Sequence, residues 1–101
     1  MALDFYRLDN NEYLFKLEGK ELADLAEIFN MFTQWTGLFI DPYGDIKLPL
    51  ENQEILIRVI DEYITSTDLN KDKAKTSSIL GFKGLLLYFT KNKVDLQLKE
   101  D

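Results

Sequence analysis

The nine residues KVDLQLKED, 93–101, alternate Val94, Leu96 and Leu98 with Asp95, Gln97 and Lys99. A period of two is that of a strand with one buried face. Whether this segment is a strand decides between the two folds the chain allows. As a strand it pairs with an N-terminal hairpin; as a frayed tail, with the hairpin frayed too, it leaves an all-α protein. The hairpin is read from LDFYRL and EYLFKL on either side of Asp9, Asn10 and Asn11, where Tyr13, Phe15 and Leu17 alternate with Leu14 and Lys16. Asparagine tolerates the positive φ that hairpin turns require. The expected class is α+β: a small antiparallel sheet, built from the N-terminal hairpin and the C-terminal strand, packed against about three helices.

Those helices come from the segments between. Residues 20–36 carry Leu22, Leu25, Ile28, Phe29, Phe32 and Trp35 at spacings of three and four, one apolar face of a helix. Trp35 and the phenylalanines are expected in the core. Gly37 suits a left-handed ending, with Leu38 folding back onto Phe32. A second helix is expected from about Glu51 to Thr65, with Leu56, Val59, Ile60 and Tyr63 inward and Pro49 at or before its first turn. Glu51, Glu54, Arg58, Asp61 and Glu62 then face water. TSTDLNKDKAKT, 65–76, is polar, lacks apolar periodicity and reads as a connection. From Ser77 to Asn92, Ile79, Phe82, Leu86 and Phe89 suit a helix, although Gly81 and Gly84 each cost about 1 kcal/mol relative to alanine inside one. The run LLLYF, 85–89, reads equally well as a buried strand, so both readings stand.

Composition narrows the function. At 101 residues, 46% hydrophobic and 13% aromatic, the chain has the material for one core, and residues 1–101 are expected to form a single domain. Cysteine and histidine are both absent, which excludes disulfides, thiolate or histidine metal centres and the Ser-His-Asp and Cys-His nucleophilic systems. A reducing cytoplasm fits that usage. The opening MALDFYRLDNN lacks the basic start and apolar run of a signal peptide, and no stretch is long enough to span a bilayer. No glycine-rich phosphate loop is present. A carboxylate pair could serve as acid and base, but 101 residues leave little room for a substrate cleft, so an enzyme is not expected. No cofactor is expected either. A net charge of −6 opposes nucleic acid and anionic membranes. Residues 17–62 hold ten acids against three bases, a net of −7, whereas residues 68–101 hold five acids against seven lysines, a net of +2.

Candidate binding residues follow from this asymmetry. In IDPYGDIKLP, 40–49, Asp41, Pro42 and Gly44 match positions of a type I turn, with LFI and IKL either paired as a short hairpin or leading directly between helices. The alternating acids of a calcium loop are missing, so no metal is expected there. A turn that projects Tyr43 between Asp41 and Asp45 offers an aromatic anchor with an acidic rim. Glu21, Asp24 and Glu27 step along one helix, and Glu54, Asp61 and Glu62 along the outer side of the next. They form either a solvated face or an acidic patch for a basic protein partner.

Length, acidic balance, missing catalytic groups, exposed acidic helices and the segment FIDPYGDIKL, 39–48, together give a chain that resembles, as a class, the small cytoplasmic immunity proteins bacteria keep against polymorphic or contact-dependent toxins. The resemblance implies a stoichiometric inhibitor that binds a toxin domain, with a basic nuclease as one example, by covering its active site or a neighbouring surface. The alternative is a structural or regulatory homo-oligomer in which LLLYF or the C-terminal strand pairs with its own copy across an exposed edge.

Overall fold

A computed structural model describes residues 2–40, 46–68 and 70–100. Its elements in chain order are β1 (Leu3–Arg7), β2 (Tyr13–Leu17), α1 (Gly19–Thr36), β3 (Ile46–Leu48), α2 (Leu50–Ser66), α3 (Lys73–Lys91) and β4 (Leu96–Glu100). The four strands form an antiparallel sheet in the order β2-β1-β4-β3. The fold is thus the expected α+β class, and Leu96–Glu100 supplies β4, one of its two inner strands.

The hairpin turns where expected, with Asn11 at φ 61° and the Asn10 side chain accepting from the Glu12 N–H at 2.9 Å. In β2 the alternation is broken once. Phe15 faces Phe5, but Tyr13 rather than Leu14 faces Tyr6, so a bulge lies between these pairs. An extra residue reverses the side-chain sense of everything beyond it. Tyr13 consequently leaves the buried set, packs edge-on against Tyr6 at 5.6 Å and is half exposed.

Register places Leu3, Phe5, Leu48, Leu96 and Leu98 on one face of the sheet, where they are buried with Leu17 in one cluster with the inward residues of all three helices. The other face carries Tyr6, Lys16, Lys47 and Lys99, and Lys99 lies over the Tyr6 ring at 4.9 Å. One sheet face covered and one solvated is the usual state of an antiparallel sheet. IKL, expected either to pair with LFI or to lead directly between helices, pairs with β4 instead, Ile46 opposite Leu98 and Leu48 opposite Leu96. Because β4 is hydrogen-bonded on both sides, it has no open edge to offer another copy. LLLYF has none either, since it lies within α3.

Local chemistry sets the helix ends. α1 closes on Gly37 at φ 79°, whose N–H bonds Thr33 O at 2.7 Å. The next N–H, of Leu38, turns to the Thr36 hydroxyl at 3.1 Å, so the ending is the simple left-handed type. Trp35 and Phe39, expected in the core, are 51% and 75% exposed. Trp35 stands in the last turn of α1 and Phe39 lies beyond its end, both past the buried positions Leu25, Ile28, Phe29 and Phe32. α2 begins after Pro49, which has no capping side chain; the Asp95 carboxylate accepts the Leu50 N–H at 2.9 Å in its place. α3 starts earlier than its apolar pattern, at Lys73, because Asp72 accepts the Lys75 N–H at 3.0 Å and organises the first turn. The segment 73–76 is therefore helical and not part of the connection.

Gln53 is the one polar residue among the fully buried positions described. Its amide donates to Leu48 O at 3.0 Å and Val94 O at 2.8 Å, joining the first turn of α2 to the end of β3 and the approach to β4. Both carbonyls would otherwise be shielded from water without a side-chain donor, and buried backbone acceptors are rarely left so.

Candidate functional site

The acids singled out on α1 and α2 lie on either side of α3, whose lysines reach toward them. Lys75 Nζ is 3.4 Å from Glu27 and 5.6 Å from the centre of the Tyr63 ring. Lys83 bonds Asp61. The Ser78 hydroxyl donates to Asp24 at 2.8 Å, and Lys20, one turn before Asp24 in α1, reaches the same oxygen at 3.4 Å. The pairs 24–78 and 27–75 show α1 and α3 running antiparallel. The opposite charges of the two halves of the sequence are thus brought face to face, and three of the six acids singled out on α1 and α2, Asp24, Glu27 and Asp61, serve to join helices.

The Tyr63 oxygen first, and then Glu27, hold the Lys75 ammonium above the ordinary lysine range, against the opposing effect of partial burial. Asp24 is held below its usual range mainly by the Ser78 hydroxyl, helped by Lys20 and Lys75, with desolvation pulling the other way. The sign of the consequence is fixed. A carboxyl whose folded pKa lies below its unfolded value contributes stability above the unfolded value, near 3.8, and loses it as pH falls through the folded one. Urea midpoints are therefore expected to drop below about pH 4 in the native chain. In Asp24→Asn that acid limb is expected to be flatter. An identical acid limb would show that Asp24 does not carry this linkage.

Between α1, the end of α2 and the start of α3 lies a cavity of about 450 Å³, lined by Glu27, Tyr63, Asp68, Lys71, Asp72 and Lys75 among others. Its size falls in the range of small-molecule sites. Its charges largely cancel, however, since the two lysines face three carboxylates and Lys75 is already engaged by Glu27 and Tyr63. Among the described residues, no group of three or more Asp or Glu side chains is placed to hold a metal ion.

Glu21, Glu54 and Glu62 are exposed. On α2, Glu51, Glu54, Arg58, Asp61 and Glu62 share the outer side, with Arg58 four residues from both Glu54 and Glu62. The acidic row is real but has a cation at its centre. Asp41, Tyr43 and Asp45 lie outside the described residues. Sequence reading missed the role of Lys75 and Lys83; the available signal was the excess of lysine after residue 68 against the excess of acid before it. It also missed Gln53, which occurs at helical spacing from Leu56 and Ile60 on the inward side of α2.

No helix among the described residues is long and apolar enough to cross a membrane. Comparison with protein-family models, curated proteins and solved structures finds no match to this chain.

Proposed function

We propose that the protein is a cytoplasmic binding module of the immunity type, which neutralises a basic toxin domain by forming a one-to-one complex. The observation that supports this most is the outer side of α2, where Glu51, Glu54 and Glu62 stay exposed after Lys83 has engaged Asp61. Carboxylates held on a rigid helix attract a basic surface and raise its rate of association. Glu21 on α1 adds to the same sign of charge, and the turn bearing Asp41, Tyr43 and Asp45 belongs to the proposal on sequence grounds. No catalytic role is proposed for any of these residues.

The test uses the tagged full-length chain to capture protein from its native host. A basic protein that halts growth when expressed alone, and fails to do so when this chain is co-expressed, is the expected product. The double variant Glu54→Lys, Glu62→Lys is expected to weaken the complex at least about tenfold, as is raising salt from about 0.05 M to about 0.5 M. Affinity unchanged by both would remove the acidic face of α2 from the interface. Failure to recover any protein whose toxicity the chain suppresses would refute the immunity reading.

A second reading, a homo-oligomer, draws on a different observation, the outer side of α3.

A further inference from the structure

α3 is apolar on both sides. Ile79, Phe82, Leu86 and Phe89 are buried against the sheet and the other helices, while Leu80, Leu85, Leu87 and Tyr88 are exposed by 37 to 61%. Between the exposed side chains lie Gly81 and Gly84, and a Cβ at either would meet nothing within 4 Å. Neither glycine is therefore required by packing within the chain. Large apolar side chains left bare beside a buried face mark a surface that another chain can cover. Glycines on the bare side of such a helix leave a trough in which another backbone can approach closely.

We infer that this side of α3 is the contact surface for a second copy of the chain, the two α3 helices crossing antiparallel with Gly84 against Gly84. The pattern about Gly84 is self-complementary. In an antiparallel pair, a residue three positions after Gly84 lies about 4.5 Å along the axis and meets a residue about 6 Å along, four positions before Gly84 in the other copy. Leu87 then packs on Leu80 of the second copy, and Tyr88 covers Gly81 of the second copy. Beside Gly81 is a groove of about 380 Å³ that also includes Leu85, Phe82, Leu17 and Glu21. The ring of Tyr88, the most exposed large side chain of α3, enters it, with Glu21 in place to accept a hydrogen bond from its hydroxyl. Lys91, at the end of the face, meets Ser77 of the second copy, so like charges do not oppose each other although each chain carries −6. An isologous contact of this kind closes at two copies.

The area places the contact at the small end of specific interfaces. Apolar patches on single chains cover about 300–600 Å², and two of them closed together reach the roughly 1,000 Å² at which specific interfaces begin. The pair is accordingly expected to dissociate within the concentration range tested below.

Sedimentation equilibrium from about 1 μM to about 1 mM tests the inference. The mass is expected to rise from 11.8 kDa toward twice that value. Tyr88→Glu is expected to shift the midpoint at least tenfold upward without changing far-UV dichroism, since Tyr88 is exposed. The chain has no cysteine, so Gly84→Cys provides a single thiol at the proposed two-fold axis; mild oxidation is expected to link it into dimers faster than Glu54→Cys on α2. Monomer mass throughout, a dimer unaffected by Tyr88→Glu, or equal linking of the two thiol variants would each overturn the assignment. The Glu54→Lys, Glu62→Lys variant leaves this face intact and is expected to dimerise normally, so failure of the immunity reading and failure of this one are separable.

Discussion

Gln53→Glu is expected to yield a protein far less stable at neutral pH than in mild acid. The native amide directs two N–H bonds at Leu48 O and Val94 O from a position with no exposed surface. A carboxylate there has no proton to donate and faces two carbonyl oxygens, so ionisation sets a buried charge against two acceptors. The loss at pH 7 is at least about 3 kcal/mol, a large fraction of the roughly 5–15 kcal/mol that holds a domain together. Protonation restores one donor. Because burial among acceptors raises the folded pKa of the introduced carboxyl above its unfolded value near 4.3, the variant is most stable below that value. Stability is then lost as pH rises through the raised one. Urea titrations at about pH 4 and pH 7 read this directly. A variant as stable as the native chain at pH 7, or one that weakens on acidification, would show that this amide does not join α2 to the sheet.

Phe5→Ala is expected to be comparably damaging through a different mechanism. Phe5 has no exposed surface, stacks on Phe15 at 4.3 Å and meets Phe82 edge-on at 5.9 Å. Phe82 in turn meets Phe29 at 5.8 Å, and Phe15 meets Phe89 at 6.0 Å. One ring thereby connects the hairpin with α1 and α3. Its deletion removes about 3–5 kcal/mol, combining the transfer term with the cavity left behind. Phe39→Ala is the matched control: at 75% exposure its removal is expected to change stability by no more than about 0.5 kcal/mol. Equal denaturation midpoints for the two variants would contradict the burial described here.

These two residues also mark where sequence reading succeeds and where it does not. Phe5 falls in an alternating strand, and β1, α1, α2 and the terminal strand are all elements whose period is sustained over five or more residues. β3 has three residues, too few to show a period, and its partner lies about fifty positions away. LLLYF stayed ambiguous because α3 has apolar residues on both sides, which erases the contrast that separates a period of 3.6 from a continuous run. Trp35 has the spacing of a core residue, but which end of α1 is left uncovered depends on how the helix is laid on the rest of the fold. Gln53 resembled any polar helix position, since the two carbonyls it serves come from distant segments. For the candidate surface, the segregation of charge was visible along the chain, but which acids are neutralised by Lys75 and Lys83 depends on how the helices are laid side by side. Asp41, Tyr43 and Asp45 remain a reading of the sequence.

The inner position of β4 has a consequence for biosynthesis. β1 and β3 meet only through this strand, which is the last of the four in chain order. On the ribosome, the hairpin and all three helices leave the exit tunnel before the piece that joins the two halves. Until then the nascent chain presents an unpaired strand edge on β1 beside a half-closed apolar cluster. The sheet thus cannot close until β4 has emerged, and a chaperone that shields bare edges would find its substrate in that interval.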